Sequence, residues 1–106
     1  MKLMKVALVL AFASGSATAF AAEHSIAQKG RAFSETAVTV KKGDALVFVN
    51  DDNIAHNIMS TSAGNEFNLG SQAPGASAQV TLNNAGEVNV LCAIHPRMKM
   101  TVTVTD

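Results

Sequence analysis

From Ala37 onward, apolar residues recur at every second position in short runs rich in Val and Thr. A period of two places alternate side chains on opposite faces of a pleated strand, and β-branched residues suit that surface, so the runs predict strands and not helices. Two of them, Ala37–Lys41 and Ala45–Asn50, flank Lys42-Gly43-Asp44, where a hairpin is expected because Gly43 tolerates a positive φ. Further strands are predicted over residues 57–60, 76–82, 87–91 and 99–105, and an opening strand over 26–33 is interrupted by Gly30. Asn83-Asn84-Ala85-Gly86 and Gln72-Ala73-Pro74-Gly75 supply turn chemistry between them. Residues 61–75, with Gly64, Gly70 and Gly75 around Phe67 and Leu69, are the least regular stretch, a surface loop or a degenerate strand. Seven short strands punctuated by turns predict an all-β fold, an antiparallel Greek-key β-sandwich.

The first residues follow a different grammar. Lys2 and Lys5 precede an apolar run over residues 6–13, and small residues then lead to Ala19-Phe20-Ala21. This is the layout of a secretory signal, so residues 1–21 are expected to be cleaved after Ala21, leaving one domain over residues 22–106. The apolar run is too short to span a bilayer, and Ser14, Gly15, Ser16 and Thr18 break it, so no membrane span is expected in the mature protein. Export to a bacterial periplasm or an extracellular space then follows, with the periplasm as the expected compartment.

Composition narrows the partners. The whole chain carries 8 Lys and Arg against 8 Asp and Glu. Without its first 21 residues it keeps six of the former and all of the latter, slightly acidic at −2. No basic surface is available for nucleic-acid phosphates. The single cysteine, Cys92, cannot form an internal disulfide, although exported domains of this size use cysteines in pairs. An inert buried thiol, an intermolecular bridge and a metal-held thiolate are all open to it.

The neighbourhood of Cys92 carries the chemistry. Cys92, His95 and Met98 fall within seven positions, in Cys92-Ala93-Ile94-His95-Pro96-Arg97-Met98, and His56 follows the strand ending Phe48-Val49-Asn50. Two imidazoles and a thiolate in a plane, with a weak thioether above it, make a blue-copper electron-transfer centre. Pro96 fixes its own φ and holds His95 extended. Met98 and Met100 share parity, but Met100 continues the apolar face of Val102 and Val104, so Met98 is the expected axial donor and Met100 the alternate. Met59 fits an apolar position beside Ile58, and Asp51 and Asp52 are expected to be solvated loop acids.

The string Cys-x-x-His-Pro-x-Met closing a β-sandwich, with the earlier pair His56-Asn57, resembles the cupredoxins, the small type 1 copper proteins. The short loop is most similar to the amicyanin branch, and plastocyanin and pseudoazurin are also similar. The resemblance implies one copper ion cycling between Cu(I) and Cu(II), held by His56, Cys92, His95 and Met98. It implies that the backbone N–H of Asn57 points at the thiolate. Two positions depart from the branch: Ile94 stands where it tends to have proline, and Met100 where it tends to have glycine. A retained N–H on Ile94 is expected to give the sulfur a second hydrogen bond, so Asn57, Ile94 and Pro96 form the shell around the donors.

Electron transfer is then the implied activity, with a c-type cytochrome or a periplasmic oxidoreductase as partner and His95 as the port. The chain is expected to act as a monomer and not as an enzyme, since a full donor set leaves no open coordination position. The alternative is a periplasmic copper-binding module for storage, delivery or resistance using the same side chains. A cut after Ala21 would also make His24 the third residue of the mature chain, where the amine, two deprotonated amides and the imidazole could surround Cu(II) or Ni(II) in a square plane.

Overall fold

A computed structural model describes residues 21–106; the signal-like segment, up to its last residue, lies outside the described residues. Eight strands form: β1 (Glu23–Gln28), β2 (Ala37–Lys41), β3 (Ala45–Asn50), β4 (Ile58–Ser60), β5 (Phe67–Asn68), β6 (Ser77–Thr81), β7 (Gly86–Cys92) and β8 (Lys99–Thr105). Three lie in one sheet in the order β1-β3-β6, and five in the other in the order β2-β8-β7-β4-β5. The period-two pattern does what it predicts: along β8 the buried residues are Met100, Val102 and Val104, and along β7 they are Val88, Val90 and Cys92. Phe67 and Asn68, in the stretch with the weakest pattern, form a two-residue edge strand against β4.

Three expectations change. The strands β2 and β3 do not make a hairpin, because they belong to different sheets. The turn between them crosses the sandwich: the Lys42 N–H donates to the Thr105 carbonyl in one sheet, and the Gly43 N–H donates to the Leu82 carbonyl at the end of β6 in the other. The Asp44 carboxylate closes this turn by accepting the Lys41 N–H. The sandwich is also mixed and not wholly antiparallel, since β1 pairs with β3 and β2 with β8 in parallel. A local alternation pattern specifies which face is buried but not the direction of the neighbour. The opening strand ends at Gln28; Lys29 and Ala32 exchange backbone hydrogen bonds, turning the chain so that Phe33 comes back as a single bridge opposite Gln28.

Between the sheets lie Ile26, Leu46, Phe48, Ile58, Val88 and Val102, all inaccessible to solvent. Full burial of each such side chain stabilises by about 1.5–3 kcal/mol before the entropy of ordering is counted. Phe33 and Phe48 meet with ring centroids 6.0 Å apart at 58°, a tilted pair that closes the core near the turn after β1. The registers Gln28↔Asn50, Ile58↔Cys92 and Leu91↔Lys99 bring the ends of β1, β3 and β7 and the starts of β4 and β8 to one end of the sandwich. No helix among the described residues is long and apolar enough to cross a membrane.

Candidate metal centre

Cys92 ends β7 on the inward parity, fully buried and opposite Ile58. Beyond it the chain doubles back at once. The Ala93 N–H donates to the Asn57 carbonyl at 2.8 Å, the Met98 N–H to the His95 carbonyl at 2.9 Å, and the Cys92 N–H to the Met98 carbonyl at 3.1 Å. This tight loop turns the His95 imidazole toward the cysteine and returns Met98 to the core, 2% exposed. Pro96 stands inside the turn, where its fixed φ stiffens the return.

His56 comes from the facing loop and is held on both sides. Its backbone exchanges two hydrogen bonds with Gln72, at 3.1 and 2.7 Å. Asn50, at the end of β3, donates from Nδ2 to the carbonyls of Ile54 and Gln72, both at 2.9 Å, and its Oδ1 accepts the Asp52 N–H. One buried amide thus pins the loop at three places. The imidazole is fully buried, and its Nε2–H donates to Asp52 Oδ2 at 2.8 Å. An ionised carboxylate can only accept, so in the neutral ring Nε2 carries the proton and Nδ1 presents its lone pair inward.

Those constraints make three donor atoms converge. Cys92 Sγ lies 3.6 Å from His56 Nδ1 and 3.8 Å from His95 Nδ1, and the two nitrogens are 3.2 Å apart. The imidazoles meet edge to face at 68°, with ring centroids 5.1 Å apart. In a triangle with these sides the equidistant point is about 2 Å from each corner, the reach of imidazole and thiolate ligation. A soft sulfur with two imidazoles suits copper or zinc and not a hard cation, which would take oxygen donors. The Asn57 N–H donates to the sulfur at 3.3 Å.

Among the described residues Asn57 is the sulfur's one backbone donor, which corrects the expectation of a second from Ile94. The reason is the direction of the loop: its hydrogen bonds run from Ala93 to Asn57 and from Met98 to His95, and Ile94 turns outward, 53% exposed. Met100 pairs with Val90 within the sheet and packs in the core, two residues further along the chain than Met98, which precedes the strand. His24 is not brought near this end. It lies in β1, where Nε2 meets Asp44 Oδ2 at 3.0 Å, and β1 runs extended beside β3, so the Glu23 and His24 amides lie along a strand and do not wrap a metal.

Asp52 is the residue that the sequence reading missed. It is not a solvated acid: besides His56 it accepts the N–H groups of Gly30 at 2.7 Å and Arg31 at 2.9 Å. The Arg31 amide first, then the His56 side chain, hold its carboxyl down at about 2. Only its i,i+4 separation from His56 hinted at this, a spacing meaningful in a helix and mute in a loop. Around the exposed side of the donors runs a shallow groove of about 410 Å³, lined by Arg31, Ile94, His95, Pro96, Arg97 and Met98.

Comparison with known proteins places this arrangement. The methylamine utilization protein MauL of Methylorubrum extorquens is 32% identical over 101 residues, covering 94% of this chain and 89% of that protein. A purple cupredoxin from Nitrosopumilus maritimus superposes with a TM-score of 0.70 at 22% identity, over 77% of this chain and 99% of the other. An oxidised, singly substituted amicyanin gives 0.71 at 18% identity, over 76% and 80%. The two structural likenesses establish the cupredoxin fold. The sequence pattern of the copper binding proteins of the plastocyanin/azurin family matches residues 20–105. With one copper ion as the cofactor that the soft donor triangle fits, this chain belongs to the plastocyanin/azurin family of copper-binding proteins.

Proposed function

We propose that this protein is a periplasmic electron carrier in which His56, Cys92, His95 and Met98 hold a single type 1 copper ion. The observation that carries the reading is the convergence of His56 Nδ1, Cys92 Sγ and His95 Nδ1, all within 4.8 Å of one another, on loops tied by backbone and side-chain hydrogen bonds. Copper, when bound, supplies a one-electron Cu(I)/Cu(II) couple. The chain's own task is to keep the donor positions alike in both oxidation states, so that little reorganisation accompanies the electron. Asp52 fixes the His56 ring, the Asn57 N–H draws charge from the sulfur, and the loop hydrogen bonds fix His95.

Met98 would supply the thioether in this reading: its carbonyl accepts the Cys92 N–H, and it lines the groove together with His95. His95 is the port: its imidazole is half-buried, between the buried sulfur and the groove. Ile94 and Pro96 surround it with apolar surface suited to brief encounters with a c-type cytochrome or a periplasmic oxidoreductase. Cleavage after Ala21 delivers the domain to that compartment, and no substrate is transformed.

The test is a visible spectrum and a voltammogram of the copper-loaded mature protein. An intense thiolate-to-Cu(II) band with reversible one-electron reduction and slow copper loss supports the carrier. A colourless Cu(II) form, or Cu(I) that passes quickly to a chelator, overturns it in favour of copper delivery or storage.

A further inference from the structure

We propose that the face around His95 docks a protein whose redox centre is edged by carboxylates, and that Arg31 and Arg97 are the side chains that read them. The proposal rests on the electron-transfer reading above and adds the charge of the partner. Every residue lining the groove at His95 is apolar, imidazole or guanidinium; none is acidic.

Both arginines stand on turns that are fixed. Arg31 has φ 54°, a left-handed conformation that a residue with a side chain adopts at a cost, and among the described residues it is alone in this apart from glycines. The Asp52 carboxylate holds it there by accepting both the Gly30 and the Arg31 N–H, while its Oδ2 also takes the His56 Nε2–H. One carboxylate therefore ties the backbone that carries Arg31 to a candidate copper donor. Arg97 follows Pro96 inside the turn closed by the Met98 N–H on the His95 carbonyl.

The remaining charges are sorted by end. At the donor end stand Lys29, Arg31, Arg97 and Lys99, against Glu35, Asp51 and an Asp52 engaged internally. At the opposite end Lys41 and Lys42 stand with Glu23, Asp44, Glu87 and Asp106, and Glu66 lies about midway, beside β5. One end is net positive and the other negative, although the residues after Ala21 total −2. A seven-residue strand such as β8 separates the ends by about 23 Å, nearly three times the Debye length of about 8 Å at physiological salt. A partner at the groove consequently feels the arginines and hardly the distant acids, and at longer range the asymmetry turns the positive end toward an acidic surface.

The first measurement needs no copper. Paramagnetic hexacyanochromate(III) titrated into the ¹⁵N-labelled metal-free protein should broaden the amides of Arg31, His95 and Arg97, and Arg31→Gln with Arg97→Gln should remove that broadening. Broadening centred on Lys41 and Lys42, or spread evenly, overturns the proposal. In the second, hexacyanoferrate(II) gives one electron to the Cu(II) protein, becoming hexacyanoferrate(III) as the protein becomes Cu(I). The double variant should slow this roughly tenfold at low ionic strength, should differ little at high salt, and should accelerate reduction by cationic hexaammineruthenium(II). Equal slowing with both reductants would mean a structural role for the arginines and overturns the proposal. If the anion maps to the groove but neither reductant passes an electron, it is the electron-transfer reading that fails, and with it the redox nature of the partner.

Discussion

Asp52 Oδ2 lies 2.8 Å from Nε2 of His56, on the far side of the ring from the nitrogen that faces Cys92. A histidine can offer only one lone pair at a time when neutral, so this contact decides which nitrogen is free for metal. It also explains how a fully buried imidazole keeps a fixed orientation: the carboxylate is itself anchored by two backbone N–H groups from the turn after β1.

Asp52→Ala removes that anchor, and copper affinity should fall about 10- to 100-fold. Asp52→Asn keeps an oxygen that can accept the Nε2–H, so its loss should be smaller. Competition for Cu(I) against a chelator of known affinity measures both, and parent-like affinity in Asp52→Ala would show that the loop alone orients His56.

Cys92→Ser should abolish the charge-transfer band, because a hydroxyl cannot supply the soft sulfur. An intense band surviving in that variant would remove the type 1 assignment.

The two methionines separate by a pair of variants. Met98→Leu should leave a coloured centre whose potential moves upward, since the axial bond is weak and its loss disfavours Cu(II). Met100→Leu, a volume-conserving change in the core beside Val90, should cost less than about 1.5 kcal/mol and leave the potential where it was. Protein-film voltammetry reads both; the reverse pattern would exchange their roles.

Acid should weaken the fold at the end opposite the donors. The Lys41 N–H first, then His24 and the Ala22 N–H, hold the Asp44 carboxyl down at about 2 from 3.8. A depressed carboxyl stabilises fully above its unfolded value and loses that contribution as pH falls from about 4 toward 2. Urea midpoints between pH 2 and 7 should show a shallower acid decline in Asp44→Asn, along with lower stability at neutral pH. Asp52, held down by its own contacts, should account for part of the decline that remains.

Phe48→Ala should cost about 3–5 kcal/mol, since the ring is fully buried against Phe33 and the core cannot collapse around so large a loss. Denaturant unfolding measures it, and a cost near 1 kcal/mol would show that the sandwich end near β1 relaxes to fill the space.

Much of the fold was legible because a half-buried strand writes its period into the chain. The bounds of β2, β3 and β8 coincide with their hydrophobic alternation, and Val88 and Val90 are buried on the same period, whereas the burial of Cys92, one residue past the predicted strand, came only with the structure. The residue types of the candidate centre could be named too, because Cys92, His95 and Met98 fall within seven residues of one another. What only the tertiary structure decided is everything that depends on partners distant in sequence. Alternation is the same for parallel and antiparallel neighbours, so the pairing of β2 with β8 and the crossing at Gly43 could not be read from it. The Ile94 N–H exists in the sequence, but where it points depends on the closure of the loop through Ala93 and Asn57. Asp52 looks like any loop acid until Gly30 and Arg31, 22 and 21 residues earlier, are folded against it. A hydrogen bond of that kind is set by three-dimensional closure, and closure is a property of the whole sandwich and not of any segment.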